Sequence, residues 1–217
     1  MSFKNMAPTR RLGTGAALLT TLALMAPMQG HAQGLSWEAA RTFSLGLAAT
    51  ATHWRTDCLQ TNYCDRNDSG WRLTAAWQFA PQGALELVAT EQGRVRGEAL
   101  STAGLKASEL RVRGMGLGLA WLMPLSPDWL FSARAGALAN RARFTETAAL
   151  DAVGTETSHT RTDPMAGIGL SWRLSPSVSI DGRLDWSSTR LAPPSQSLLG
   201  GGRTDAHQWG LGVTGYF

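Results

Sequence analysis

Residues 209–217 read Trp209-Gly-Leu-Gly-Val-Thr-Gly-Tyr-Phe217, and their alternation decides the fold. Trp209, Leu211, Val213 and Phe217 fall on one face, interrupted once by Gly215. Gln208, Gly210, Gly212, Thr214 and Tyr216 fall on the other. A period of two with one apolar and one small or polar face marks a strand held between two different surroundings.

The start of the chain is an address label. Lys4, Arg10 and Arg11 precede an apolar run over residues 13–25, and Gly30-His31-Ala32 offers small residues for cleavage. That order is a secretory signal, and the run is short for a membrane span. We expect residues 1–32 to be removed and 33–41 to form a short periplasmic N-terminal segment ahead of the domain 42–217. The whole chain holds 20 basic and 16 acidic residues. Three of the basic residues fall in the signal, so the mature part is nearly neutral at 17 against 16. The basic character of the full sequence is therefore no mark of a nucleic-acid binder.

No apolar run after the signal approaches the ~20 residues of a helical span. A membrane protein of this sequence must be a closed barrel, because lipid offers no partner to an open sheet edge. Alternation recurs in eight segments. Their apolar faces are Phe43-Leu45-Leu47-Ala49-Ala51, Trp71-Leu73-Ala75-Trp77-Phe79, Leu85-Leu87-Ala89, Met115-Leu117-Leu119-Trp121, Phe131-Ala133-Ala135-Ala137, Ala166-Ile168-Leu170-Trp172, Val178-Ile180-Leu184-Trp186 and the terminal strand. Tight proline-bearing turns at Pro81, Pro124–Pro127 and Pro176 follow segments two, four and six. Polar stretches of roughly 15–20 residues follow the odd segments, and short turns on one side with long loops on the other is the plan of a membrane barrel.

Threaded up and down, Phe43, Trp77, Phe79, Trp121, Trp129, Phe131, Trp172 and Phe217 gather at one end. Trp54, Trp71, Trp186 and Trp209 gather at the other, as expected of two interfacial belts. Arg72, Glu86, Arg134, Arg173, Asp181, Arg183 and Asp185 share the opposite parity with glycines. Charge facing lipid is costly, so this face must point inward, where an eight-stranded bore is just wide enough for side chains to fill. We expect a plug of Arg–carboxylate pairs.

Segments such as Gly167-Ile-Gly-Leu-Ser-Trp-Arg-Leu-Ser-Pro-Ser-Val-Ser-Ile-Asp-Gly-Arg-Leu-Asp-Trp186 resemble the hairpins of the OmpA/OmpX-type outer-membrane barrels. The likeness covers roughly residues 42–217 and is one of pattern. It implies an all-β, eight-stranded antiparallel up-and-down transmembrane β-barrel in the outer membrane of a Gram-negative bacterium. No peptidoglycan-binding domain follows Phe217, which favours the barrel-only members. The terminal strand also resembles the signal read by the barrel-assembly machinery, carried by Trp209, Leu211, Val213 and Phe217.

Motifs for chemistry are few. Gly210-Leu-Gly212-Val-Thr-Gly215 matches a dinucleotide fingerprint literally, but the chain ends before the helix that fingerprint needs. Cys58 and Cys64, in an exported chain, read as a disulfide; two sulfurs without a nearby histidine pair are too few for a metal. Asp65-Arg66-Asn67-Asp68-Ser69-Gly70 begins like a calcium loop, but Ala76 stands where a glutamate is required, so it reads as a polar turn. His53 and His207 fall near the outer ends of the first and last strands, with Asp205 nearby, and are the only constellation that suggests a lipid-modifying or hydrolytic enzyme. No Gly-x-Ser-x-Gly elbow accompanies them.

The rim arginines Arg111, Arg113, Arg141, Arg143, Arg190 and Arg203 are candidate contacts to lipopolysaccharide phosphates, which suit a guanidinium fork. The reading is thus a barrel with a structural or surface-interaction role: membrane integrity, adhesion or host contact. Its partners are outer-membrane lipid, lipopolysaccharide, the assembly machinery and a surface or host ligand. It requires no cofactor, metal, catalytic residue or nucleic acid. The alternatives are a lipid A-modifying barrel enzyme and a narrow pore.

Overall fold

The computed structural model describes residues 43–56, 58, 61–101, 104–148, 155–191, 198–199 and 202–217. The expected signal peptide and the segment 33–41 lie outside the described residues. Among the described residues nine strands follow in order: β1 Phe43–Arg55, β2 Tyr63–Asp65, β3 Asn67–Ala80, β4 Gly83–Ser101, β5 Gly104–Pro124, β6 Trp129–Ala148, β7 Thr155–Ser175, β8 Val178–Leu191 and β9 Gly202–Tyr216. Eight of them close into a ring. β1 lies between β3 and β9, the order runs on through β8, β7, β6 and β5, and β4 joins β5 back to β3. Every ladder is antiparallel, and β2 adds a three-residue strand to the upper part of β4. The expected eight-stranded barrel is what the chain forms.

Alternation sorts the side chains as the sequence demands. Leu45, Leu47, Leu117, Leu119, Leu184 and Leu211 are exposed on the outer wall, while Thr50, Arg72, Glu86, Arg134, Asp181 and Thr214 are buried inside. At the lower end, Phe43 lies opposite Trp77, and Trp129 stacks on Trp172 with ring centroids 6.1 Å apart. There the Phe217 backbone N–H donates to Phe43 O at 2.9 Å, so the terminal residue closes the seam. Trp71, Trp186 and Trp209 form the upper girdle on the outer face. Trp54 does not join it. Its even position on β1 points it into the barrel, where it is fully buried, because the pleat and not the height in the wall decides its side.

The strands are unequal. β4 to β7 run to 19, 21, 20 and 21 residues, against 13 for β1 and 14 for β8. About ten tilted residues cross the hydrocarbon, so β5 and β7 carry roughly ten more beyond it. The polar stretches expected as loops after the third and fifth segments are therefore largely ladder. β4 and β5 stay paired from Gly83↔Trp121 to Ser101↔Gly104, and β5 and β6 from Pro124↔Leu130 to Lys106↔Ala148. The other two long connections are also shortened, since β8 reaches Leu191 and β9 begins at Gly202.

A change of solvent explains the difference. Above the membrane the outer wall faces water, so it carries Arg and Glu, and the inner wall turns apolar. Trp54, Val95, Leu110, Val112, Ala142, Phe144, Leu199 and Ala206 pack there as one buried cluster. The pleat runs on unbroken along β5 while the chemistry of its two faces exchanges. On β4 a bulge helps: pairing slips between Glu91 and Arg94. Gly93 sits at a φ of 81°, and a Cβ there would meet the Asp68 side chain at 2.8 Å, so only glycine fits without strain.

Candidate functional site

The lumen is built in layers from inward residues of every barrel strand. In the lower layer Arg72 Nη1 meets Asp185 Oδ2 at 3.1 Å. Arg183 Nη1 donates to Thr74 Oγ1 at 3.0 Å, and Arg134 Nη2 to Ser132 Oγ at 2.9 Å. Asp181 is held by hydroxyls: Ser179 Oγ donates to Oδ1 at 3.0 Å, and Thr214 Oγ1 donates to Oδ2. Glu86 is buried on the same wall, and Arg173 is half-buried near the periplasmic mouth. The seven expected lumen residues thus share one interior. Hydroxyls do much of the work that the sequence reading gave to arginines.

Sequence reading missed Asp163. It is 4% exposed on β7, where Asn140 Nδ2 donates to Oδ2 at 3.2 Å, Thr189 Oγ1 donates to the same oxygen, and Arg161 Nε lies 3.8 Å from Oδ1. It carries the same parity as Met165 and Gly167, so the signal was present. A segment that begins at Ala166 starts three residues too late to include it. Between Asp163 and the lower charges, Val88, Leu138 and Met165 pack as a buried apolar layer across the bore.

Cys58 and Cys64 form a disulfide beside the rim. Cys58 packs against the upper apolar cluster and bridges by backbone to Leu199. His53 and His207 are direct partners in the β1–β9 ladder, as closure of the barrel required. Both point outward, with Trp186 opposite His207 on β8. His53 Nδ1 donates to Asn67 Oδ1 at 2.8 Å, and the next pair outward is Arg55↔Asp205. The pair adjoins an outer-wall groove of about 460 Å³ lined by Ile168, Leu184, Trp186 and Trp209.

The six rim arginines come together two by two. Arg111 lies opposite Arg143, Arg113 opposite Arg141, and Arg190 opposite Arg203. Like charges directly across a ladder repel. Glu91 offsets part of this: it receives Arg111, lies 3.5 Å from Arg113 Nε, and accepts from Trp71 Nε1 at 3.2 Å. Arg143 Nε reaches Glu156 at 3.2 Å, and Arg203 Nε donates to Ser188 Oγ at 2.7 Å. Among the described residues Arg141 and Arg190 have no ion-pair partner. Pairing of each arginine with a second arginine could not be read without the register.

A family model described as the outer membrane protein beta-barrel domain matches residues 14–217. The chain belongs to that family. Its members are barrels of the Gram-negative outer membrane, which sets the surroundings of the exposed leucines and the girdles. No curated protein matches by sequence. Among solved structures, Neisserial surface protein A is similar at a TM-score of 0.56 and 13% identity, covering 81% of this chain and 97% of that one. The attachment invasion locus protein Ail of Yersinia pestis, solved in complex with the heparin analogue sucrose octasulfate, is similar at 0.51 and 16%, covering 82% and 100%. At such identities these outer-membrane protein beta-barrel relatives share the fold alone.

Proposed function

We propose that this barrel is a non-enzymatic surface-interaction protein whose projecting sheet, β4 to β7, binds polyanions through its paired arginines. The observation that carries the reading is the double register Arg111↔Arg143 and Arg113↔Arg141 on an outward face, with Glu91 shared between two of the four. Four guanidiniums in a square of neighbours, short of carboxylates, suit the oxygens of phosphate or sulfate groups. Lipopolysaccharide phosphates are one source of such oxygens. The sulfated ligand of Ail supports the same chemistry for a polysaccharide.

The role is structural and adhesive. His53 is committed to an amide and not to a carboxylate or a hydroxyl nucleophile, which supports a barrel without hydrolytic machinery. The two apolar layers in the bore support a lumen that is plugged. The outward Trp209, Leu211, Val213 and Phe217 support recognition of the last strand by the assembly machinery.

Retention of the purified barrel on heparin resin and on immobilised lipopolysaccharide tests the reading. Arg111→Gln with Arg141→Gln should weaken one or both by tenfold or more. Unchanged retention on both supports would overturn it.

A further inference from the structure

Closure of the barrel brings together two residues from opposite ends of the chain, His53 of β1 and His207 of β9. Side chains directly opposite in an antiparallel pair have Cβ atoms about 4.5–5.5 Å apart. Two imidazoles so placed can turn their ring nitrogens onto one cation, at about 2.0–2.1 Å from each.

The ring of His53 is already prepared for this. Asn67 Oδ1 accepts from Nδ1 at 2.8 Å, which places the ring hydrogen on Nδ1 and leaves Nε2 with its lone pair. A histidine that donates its other nitrogen to an oxygen is the usual arrangement behind a metal ligand, because it fixes tautomer and ring orientation. Among the described residues the His207 ring has no hydrogen-bond partner, so it is free to rotate to a shared ion. Both rings are exposed, and access is open. No group of three or more His, Cys, Asp or Glu converges among the described residues, so water would complete the shell. Two neutral imidazoles with open positions select late first-row divalent ions over calcium or magnesium, which want oxygen.

We propose that His53 and His207 form a two-histidine site for a divalent transition-metal ion, clipping the first strand of the barrel to the last. The sequence pattern marks no metal ligands because only the closing register makes these residues neighbours. Since the ion bridges β1 and β9, it binds the closed barrel and not the unfolded chain, and it stabilises that closure by mass action. Trp186, across the ladder from His207, and Trp209, two residues along the same face, stand within reach as reporters.

The test uses untagged protein purified in detergent micelles, titrated with Cu²⁺ or Ni²⁺ while tryptophan fluorescence is followed. We expect saturable one-to-one quenching and a metal-dependent rise in the urea midpoint of unfolding. His53→Asn and His207→Asn should each abolish both. Asn67→Ala should weaken the apparent affinity by 10–100-fold with the barrel still folded. Mg²⁺ should do nothing. Quenching that survives in both histidine variants places the ion elsewhere and overturns the proposal. So does an unfolding midpoint that the metal shifts equally in all the proteins. No quenching of the unaltered barrel by Cu²⁺ or Ni²⁺ means the two histidines are plain rim residues.

Discussion

Arg72 on β3 and Asp185 on β8 meet at 3.1 Å inside the wall, and the Arg72 side chain is almost wholly removed from solvent. Such a pair contributes little net stability against an apolar replacement, but removing one partner strands a buried charge. Arg72→Met should therefore destabilise the barrel by about 3–5 kcal/mol. Arg72→Met with Asp185→Leu should recover most of that loss. Urea unfolding in micelles, followed by heat-modifiable gel mobility, measures both. Equal losses in the single and double variants would show that the pair is uncoupled.

The two halves of the wall answer differently to charge. Leu117 sits mid-band on the outer face of β5, and Leu117→Arg should cost about 2–4 kcal/mol in lipid. Thr147, on the outward face of β6 high in the projecting sheet, should accept arginine within about 0.5 kcal/mol. Insertion yield and unfolding midpoint in phospholipid vesicles report both. Equal penalties would place the membrane boundary wrongly.

Phe144 anchors the upper apolar cluster with Trp54 and Leu110. Phe144→Ala should cost roughly 3–5 kcal/mol, felt by the projecting sheet. Hydrogen exchange should quicken at the tops of β5 and β6, while amides around Leu117 and Gly136 keep their protection. Uniform quickening over both levels would mean that the sheet is not a separate unit of stability.

The apolar layer Val88, Leu138 and Met165 bears on conduction. Planar-bilayer recordings of the unaltered protein should show no steady unitary current. Met165→Gly with Leu138→Gly should introduce one. A large steady conductance before any substitution would refute the plug.

Below the girdle, the wall was legible because each strand there separates lipid from a filled bore, and period two records that contrast. The placement of Leu45, Trp77, Leu117 and Ile168 follows from parity alone. Above it, the same parity separates water from a small apolar core, so Val95, Leu110 and Phe144 carry the oily side inward. A reading that looks for outward leucines takes such strands for loops, and it places Trp54 on the wrong face for the same reason. The candidate site was legible as residue types only. Arg111, Arg143, His53 and His207 stand out in the sequence, but which one faces which is set by ladder register, and a lone strand carries no record of that.

The exchange of inner and outer chemistry along β4 to β6 has a consequence for biogenesis. Arg94, Arg96, Arg111, Arg113, Arg141 and Arg143 project from the half of the wall that ends outside the cell. On the way there each must traverse the oily interior of the bilayer, at a depth-dependent toll of about 2–4 kcal/mol per guanidinium at the midplane. A hydrated or thinned passage lowers that cost, and it is the extracellular half of the chain that sets it.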